Sequence, residues 1–293
     1  MKVVQFTVPK TSGNSLIVQE DKLPFFYNYL HRHKEIQIAL IIKGEGTLVV
    51  GNYMQRFQAG DIYITGANQP HIFRSDSSYF SNSPAKQDKK NVHSLSLFFS
   101  PQESFGSILF LPEMKEIKHF LDKTVWGLQA PPHERHNLAK QMLHLKQTRN
   151  GLLLSEFIRL LHNMAHTRKW KILSTTSPDF SISEFEGLRM NDIYQYTMAN
   201  YPENISLRQI AAVAHLTVPA FCRYFKKQTN KTYVNFLNEI RISEACNSIS
   251  EGEFKSMSSV AHETGFSNVT NFNRVFKKIN GIPPRQFLEK YKR

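Results

Sequence analysis

The sequence predicts a two-domain α+β protein, in which an antiparallel β-barrel and a helical hairpin precede an all-α domain with two helix-turn-helix units. Three observations predict it: short β-branched and aromatic runs in residues 36–99, helical spacing after Pro112, and a segment that occurs twice beyond residue 188. At 293 residues, 41% hydrophobic and 21% charged, the chain is long and apolar enough for two folded domains. This composition excludes a disordered chain.

The first domain, residues 1–173, opens with closely spaced strands. The runs QIALII, TLVV, YMQRF and IYIT are divided by KGEG, GN and QAGD, and VHSLSLFF ends at Phe99. Strands without intervening helix are typical of an antiparallel barrel or sandwich. Gly51-Asn52 and Gly60-Asp61 supply residues that tolerate positive φ where hairpins turn. Residues 75–90 are of low complexity, and we expect a surface loop there.

Helical spacing then continues to the end of the domain. Apolar residues recur every three or four positions, with Asn150-Gly151 as the expected break between two helices: Leu138, Met142, Leu145, Leu153, Phe157, Leu160, Leu161 and Met164. We expect these apolar side chains to pack within the domain core. A helical hairpin beside a barrel is also a natural place for contacts between two copies of the chain. We therefore expect a homodimer.

Residues 174–187 are rich in Ser, Thr and Pro and predict a linker before the second domain, residues 188–293. The chain carries a formal net charge of +13, and residues 188–293 have 15 basic and 8 acidic residues, so their net positive charge per residue is about twice that of residues 1–187. This charge is typical of proteins with a polyanionic partner, either nucleic acid or an anionic membrane surface. The two cysteines exclude a disulfide framework, and no apolar run has the length of a signal or membrane span, so we expect a cytoplasmic protein without membrane contact.

The second domain contains an internal repeat. Segments beginning at Phe221 and Phe272 share the pattern Phe-x-Arg-x-Phe-Lys-Lys. In the first copy we expect Ser206, with Gln209, to cap one helix and Thr217 to cap the next. In the second copy we expect Gly265 to end a helix in the left-handed conformation, Phe266 to fill the turn and Ser267 to cap the following helix.

Each copy is therefore interpreted as a helix-turn-helix unit whose second helix enters the major groove of double-stranded DNA. The alternative is two ordinary helical hairpins, against which the repeat and the basic charge both count. Residues 233–250 predict a continuous helix that joins the units and fixes their separation. At a separation of about 34 Å the two second helices would meet successive major grooves on one DNA face.

Residues 188–293 resemble the DNA-binding domain of the AraC/XylS family of bacterial transcription regulators, most specifically in GFSNVTNFNRVFKKINGIPPRQF from Gly265 to Phe287. The resemblance implies base or groove contacts from Pro219, Cys222, Arg223, Thr270, Asn271, Asn273 and Arg274. The phosphate candidates are Lys226, Lys227, Lys277 and Lys278. Pro219 and Cys222 stand where the family often has polar residues, so we expect weaker sequence readout from the first helix.

The layout of residues 15–100 resembles a cupin barrel, the effector domain commonly joined to AraC-type DNA-binding domains. His31, His33 and His71 could converge there, although Gln37 stands where metal-dependent cupin enzymes place a Glu. Three interpretations stay open for these histidines: a metal site, a small-molecule pocket, or hydrogen-bonded structural residues. We expect no metal and no cofactor, and an effector pocket formed by Tyr27, His31, His33, Tyr63 and His71.

The resulting hypothesis is a ligand-responsive transcription regulator that is not an enzyme, with RNA polymerase as a further partner. A cupin metalloenzyme, such as a dioxygenase or isomerase with a basic DNA-binding appendage, is the alternative. An architectural DNA binder is a third hypothesis, and a barrel interior packed solid with side chains would favour it.

Overall fold

The computed structural model describes residues 15–27, 29–51, 53–76, 79, 91–103, 105–174, 184–252 and 254–289. These residues form two units, residues 15–174 and residues 184–289, which we describe separately. The expected loop at residues 75–90 and residues 175–183 of the expected linker lie largely outside the described residues, and a helix already begins at Glu184.

The first unit consists of two antiparallel sheets and a set of helices. Its strands are β1 (Leu16–Leu23), β2 (Ile36–Lys43), β3 (Gly46–Val50), β4 (Tyr53–Phe57), β5 (Ile62–Thr65), β6 (His71–Ser75), β7 (Val92–Phe99), β8 (Leu128–Gln129) and β9 (Lys171–Ile172). Its helices are α1 (Gly106–Leu109), α2 (Lys115–Asp122), α3 (Arg135–Leu145) and α4 (Asn150–His166), with short 3₁₀ turns at Pro112–Met114 and Lys123–Trp126. The strands predicted at the five apolar runs are confirmed.

The large sheet has the order β1-β7-β2-β5-β8-β9 and the small sheet the order β4-β3-β6. The described strands form a two-sheet antiparallel sandwich, so the expected barrel is not closed. His71 is the first residue of β6. Gly51 and Gly60 adopt the positive φ expected at the hairpin turns, 55° and 89°.

The large sheet is buried on both faces. Its outer face, with Ile38, Leu97 and Phe99, packs against helices α3 and α4, and the Phe99 and Phe157 ring centroids lie 4.9 Å apart. Its inner face packs against the small sheet, where Tyr63 meets Phe73 at 5.8 Å. Burial on both sides explains why the β2 sequence is a nearly continuous apolar run.

The helical stripe belongs to this core. Leu138, Met142, Phe157 and Leu160 are fully buried within the unit, so these side chains are intramolecular and are not themselves a dimer interface. The break between the two helices lies at residues 146–149, and Asn150, at a φ of 55°, begins α4 rather than separating the helices.

The second unit is entirely helical. Its helices are α5 (Glu184–Asn200), α6 (Leu207–Val213), α7 (Val218–Thr229), α8 (Tyr233–Glu251), α9 (Met257–Glu263), α10 (Val269–Asn280) and α11 (Pro284–Glu289). The expected continuous helix between the repeats is confirmed as α8, whose 19 residues make it about 28 Å long. None of the described helices in either unit has the length and apolar character needed to cross a bilayer.

Candidate DNA-binding surface and effector cavity

The first helix-turn-helix unit, α6 and α7, begins each helix at the expected cap. The Gln209 backbone N–H donates to the Ser206 hydroxyl at 3.2 Å, and the Ser206 N–H donates to Gln209 Oε1 at 2.8 Å. The Thr217 hydroxyl accepts a hydrogen bond from the Ala220 N–H at 3.4 Å. Because these bonds satisfy N–H groups that would otherwise lack a partner, they determine where α7 starts and which residues form its first turn.

The second helix-turn-helix unit, α9 and α10, repeats this arrangement, but one of its caps differs from the expected residue. Ser256 and Ser259 form the capping box of α9, but the cap of α10 is Asn268 and not Ser267. Asn268 Oδ1 accepts from the N–H groups of Thr270 at 2.7 Å and Asn271 at 3.3 Å. The connection before α10, residues 264–268, is therefore one residue longer than the connection before α7, residues 214–217.

The tight turn of the second helix-turn-helix unit depends on Gly265, which has the expected left-handed φ of 89°. A Cβ at this position would lie 2.6 Å from the Tyr201 carbonyl oxygen and 2.8 Å from the Pro202 carbonyl oxygen. His215 occupies the equivalent place in the first unit, at a φ of 53°, and its side chain is exposed. Phe266 fills the turn at 2% exposure, as expected.

Both second helices, α7 and α10, bury one face and expose the other. Phe221 and Phe225 of α7, and Phe272 and Phe276 of α10, are fully buried. All the side chains predicted to contact DNA are exposed: Pro219, Cys222, Arg223, Lys226, Lys227, Thr270, Asn271, Asn273, Arg274, Lys277 and Lys278. Neither helix contains an acidic residue, so each exposed face carries positive charge and no negative charge.

The two exposed faces differ in chemistry. The α10 face offers two asparagines and a threonine around Arg274, whose Nη2 donates to Asn271 Oδ1 at 2.8 Å. The α7 face offers Pro219 and Cys222 around Arg223. Asparagine and arginine side chains can form bidentate hydrogen bonds with base edges, whereas proline cannot donate or accept through its side chain.

In the first unit, His31, His33 and His71 come together at one end of the sandwich. His31 and His71 exchange two backbone hydrogen bonds, at 2.9 and 3.1 Å, and one ring nitrogen from each of the three side chains lies within 4.8 Å of the others. Each Nδ1 lies against a backbone carbonyl oxygen, those of Tyr29, Glu35 and Gln69, at 2.8 to 2.9 Å. Nδ1 is therefore the protonated nitrogen in each ring, and each Nε2 presents a lone pair.

Gln37 lies against two of these lone pairs. Its amide oxygen position is 2.9 Å from His71 Nε2 and 3.3 Å from His33 Nε2, and its amide nitrogen position is 3.1 Å from Ser96 Oγ. The oxygen and nitrogen of a side-chain amide exchange places on a 180° turn. The turned amide donates one N–H to each imidazole and accepts the Ser96 hydroxyl, which satisfies every group in this network.

The cluster is uncharged at neutral pH. Burial lowers the pKa of His31 to about 4, and burial also lowers the pKa values of His33 and His71. Three imidazole nitrogens are a suitable ligand set for a transition metal. However, Glu35 approaches the Nδ1 side of His33, at 4.0 Å, and no carboxylate among the described residues joins the three Nε2 atoms. The residues fit a metal incompletely, because Gln37 already satisfies two of the three nitrogens.

A cavity of about 190 Å³ lies beside this cluster, over the inner face of the large sheet. Of the predicted pocket residues, Tyr27 and His31 line it, while His33 and His71 lie behind Gln37. Tyr63 is buried away from the lining, where its hydroxyl donates to Asp61 Oδ2 at 2.9 Å. Five polar lining residues were not predicted: Gln19, Asp21, Gln37, Ser94 and Ser96. The alternating serines of VHSLSLFF were the available signal for two of them.

Comparison with known proteins finds a matching domain family for each unit. Residues 210–290 match the helix-turn-helix domain family, and residues 27–79 match the cupin domain family. The chain is 29% identical over 92 residues to YobQ of Bacillus subtilis (strain 168), named as an uncharacterized HTH-type transcriptional regulator. That match spans 38% of YobQ and 31% of this chain.

Two further relatives extend the match. A regulator of the same HTH type, named for its position in the cgkA 5′ region of Pseudoalteromonas carrageenovora, is 31% identical over 124 residues, which are 41% of this chain and 73% of that protein. YdeC of Bacillus subtilis (strain 168) is 22% identical over 271 residues, which are 89% of this chain and 86% of that regulator. With its helix-turn-helix pair preceded by a cupin domain, the chain belongs to the AraC-type family of helix-turn-helix transcription regulators.

Proposed function

We propose that this regulator places α7 and α10 in successive major grooves of one double-stranded DNA site, and that a small molecule in the sandwich cavity alters its affinity for that site. The observation that carries the first part is the pair of exposed faces on α7 and α10, which match in position and lack acidic residues. Helix α8 supports the proposal because this one continuous helix connects the two helix-turn-helix units.

Phosphate contacts should dominate the affinity. With about 6 phosphates neutralised per protomer, log affinity should fall against log salt with a slope of about −5. The measurement is fluorescence anisotropy on a selected genomic fragment and on random competitor between about 50 and 300 mM salt. Equal affinity for both DNAs at moderate salt would overturn the proposal.

The residue roles can be tested by one pair of substitutions. Arg274→Ala should cost about 1 to 3 kcal/mol on the selected fragment and relax the preference at one base pair, because its guanidinium is assigned to a base edge. Lys278→Ala should weaken binding to all sequences alike and reduce the salt slope by about 1. Lys140→Ala, an exposed residue of α3 in the other unit, is the charge-matched control. If Arg274→Ala and Lys278→Ala both acted uniformly, the assigned roles would be wrong.

The cavity supports an effector role for the first unit. An architectural DNA binder would be favoured by a solid interior, whereas the inner face here borders a space of about 190 Å³ lined by polar groups. We propose that the protein acts in the cytoplasm, where bacterial DNA lies. We also propose RNA polymerase, bound at a neighbouring promoter, as a further partner.

A homodimer remains part of the proposal, although the buried stripe no longer supports it. The exposed leucines of the hairpin, Leu143 at 42% and Leu152 at 70% exposure, are the apolar surface that α3 and α4 offer to a second copy. Sedimentation velocity at micromolar concentration, with and without DNA, tests this directly. A monomer under both conditions would refute it.

A metal-dependent enzyme is the second candidate, and the convergence of His31, His33 and His71 favours it. We propose that the protein is not an enzyme, because Gln37 supplies hydrogen bonds where a metal centre of that kind would need a carboxylate. Metal analysis of protein purified without chelator distinguishes the two. One tightly bound transition metal per chain, lost in His71→Ala, would support the enzyme.

A further inference from the structure

The cavity of the first unit has a polar floor, which is formed by strands β1 and β7. On β1 and β7, Asp21 pairs with Ser94 and Gln19 pairs with Ser96, and these four side chains face the cavity. The alternate residues of β7, such as Leu95 and Leu97, are apolar and face the helices. Polar groups at core-facing positions reduce stability unless a ligand or partner uses them, so this floor indicates a binding site for a polar molecule.

The charge of the floor restricts that molecule. Among the described residues that line the cavity, Asp21 is the one carboxylate, and none is a lysine or arginine. Gln19 Nε2 lies 2.9 Å from both Asp21 oxygens, which orients the carboxylate without neutralising it. No ion pair to Asp21 is present within the part of the chain that the structure describes. An anionic ligand would be repelled here, whereas a cationic ligand would gain a partner for its charge.

The walls of the cavity are aromatic. Phe26, Tyr27, Phe73 and Phe98 line it, with the Phe26 and Phe73 centroids 6.3 Å apart. Aromatic faces carry negative electrostatic potential and attract organic cations more strongly when water is excluded. His31 also lines the cavity, and its Nδ1–H donates to the Tyr29 carbonyl oxygen at 2.9 Å.

The volume sets the size. About 190 Å³ lies below the roughly 300 to 1,000 Å³ that is usual for drug-sized ligands, so the occupant is a small compound. From the floor, the walls and the volume, we propose that the cavity binds a small organic cation, a protonated amine, whose ammonium group pairs with Asp21 while its carbon skeleton packs against the aromatic walls. This inference rests on the proposed function, in which the same cavity holds the effector.

Three probes of similar size and different charge test the ligand class: 2-phenylethylamine, 2-phenylethanol and 3-phenylpropionate. Binding to the full-length protein is measured by saturation-transfer NMR and calorimetry up to 5 mM. We expect the amine to bind at least tenfold more tightly than the alcohol, and the carboxylate to show no binding. Binding of the alcohol or of a polyol such as xylitol at equal or greater strength would overturn the amine assignment, and so would the absence of amine binding at 5 mM.

Asp21→Asn tests the residue, and Glu20→Gln is its matched control. Glu20 is the next residue on β1, points to the opposite face, and pairs with His93 and Lys146. Asp21→Asn should weaken amine binding at least tenfold and remove the selectivity over the alcohol, whereas Glu20→Gln should leave both unchanged. Amine binding retained in Asp21→Asn, with the fold verified by circular dichroism, would contradict the assignment.

A separate measurement distinguishes failure of this inference from failure of the proposed function. DNA affinity is measured with and without saturating amine. Selective amine binding with unchanged DNA affinity would leave the cavity assignment intact and overturn its regulatory role. Sequence-selective DNA binding without amine selectivity would overturn the cavity assignment and leave the proposed DNA binding intact.

Discussion

The two units direct their polar groups in opposite ways. In the helical unit, the arginines, lysines and asparagines of α7 and α10 point outward, and the phenylalanines between them are buried. In the sandwich unit, Gln37, His71 and Ser96 point inward and are each no more than 8% exposed. The first arrangement suits a large charged partner that docks on a surface, and the second suits a small partner that enters the fold.

This difference has an energetic consequence. Outward polar groups keep their hydration, so they can be replaced with little effect on folding. Inward polar groups lose hydration and must be satisfied by one another, as Gln37 satisfies His33 and His71. Function and stability are therefore separable in the helical unit and linked in the sandwich unit, and the following predictions test that contrast.

The largest expected effect is acid destabilisation of the sandwich unit alone. Burial lowers the pKa values of His33 and His71, so the unfolded chain takes up protons below about pH 6.5 while the folded unit does not. The free energy of unfolding should be retained well above pH 6.5 and should fall by about 4 kcal/mol by pH 5, about 2 kcal/mol for each of the two histidines. Urea unfolding followed by tryptophan fluorescence measures it, because both tryptophans, Trp126 and Trp170, lie in this unit.

The helical unit is the internal control for that experiment. His215 and His262, its two histidines, are both exposed. Circular dichroism at 222 nm reports the helices of both units, and the part of its urea transition that does not coincide with the tryptophan transition belongs to this unit. The midpoint of that part should change little over the same pH range. An equal loss in both units would mean that the histidine cluster is not responsible.

Gly265→Ala should be the next largest effect, and it acts through the backbone of the helical unit. The new Cβ would meet two carbonyl oxygens at under 3 Å in a left-handed conformation, which should cost about 2 to 4 kcal/mol of unfolding free energy. His215→Ala at the equivalent turn should cost less than about 0.5 kcal/mol, since that side chain is exposed. Thermal denaturation measures both, and equal costs would show that the two turns are not under different constraints.

The third prediction compares the two exposed helix faces. Arg274→Ala should reduce affinity for the selected DNA by about 1 to 3 kcal/mol, and Arg223→Ala should reduce base preference less, because Pro219 and Cys222 supply no side-chain readout like that of the asparagines of α10. Neither substitution should shift the denaturation temperature. Competition binding against single-base variants of the site gives the comparison, and a greater loss of base preference in Arg223→Ala would reverse the assignment of the stronger helix.

The smallest effect is expected at Ser94. Ser94→Ala should leave stability unchanged or raise it by less than about 1 kcal/mol, because the substitution removes a hydroxyl that folding buries in the polar floor of the cavity. Urea unfolding followed by tryptophan fluorescence is again the measurement. A loss above 1 kcal/mol would indicate that the polar floor stabilises the fold rather than serving a ligand.

The strands and helices were largely predictable from the sequence, whereas their closure and their cavity were not. Strand β7 follows its apolar run residue for residue, and the caps Ser206 and Thr217 were identified from local chemistry. The cap at Asn268 was placed one residue early, because Ser267 and Asn268 are both good capping residues and only the length of the turn selects between them. The expected barrel proved to be a sandwich, since strand propensity does not determine which edges pair.

By itself, the sequence determined most of the outward half of this protein: the repeat, the caps at Ser206 and Thr217, and the exposed basic faces. The exposed faces follow from helical periodicity, because one face of each helix must be apolar to be buried and the other face stays exposed. Only the tertiary structure decided the inward half. Asp21 is far apart in sequence from Phe73 and Ser94, and the three share a cavity because strands β1 and β7 pair and the two sheets stack. Such contacts depend on strand register and sheet packing, which join residues that no local pattern relates.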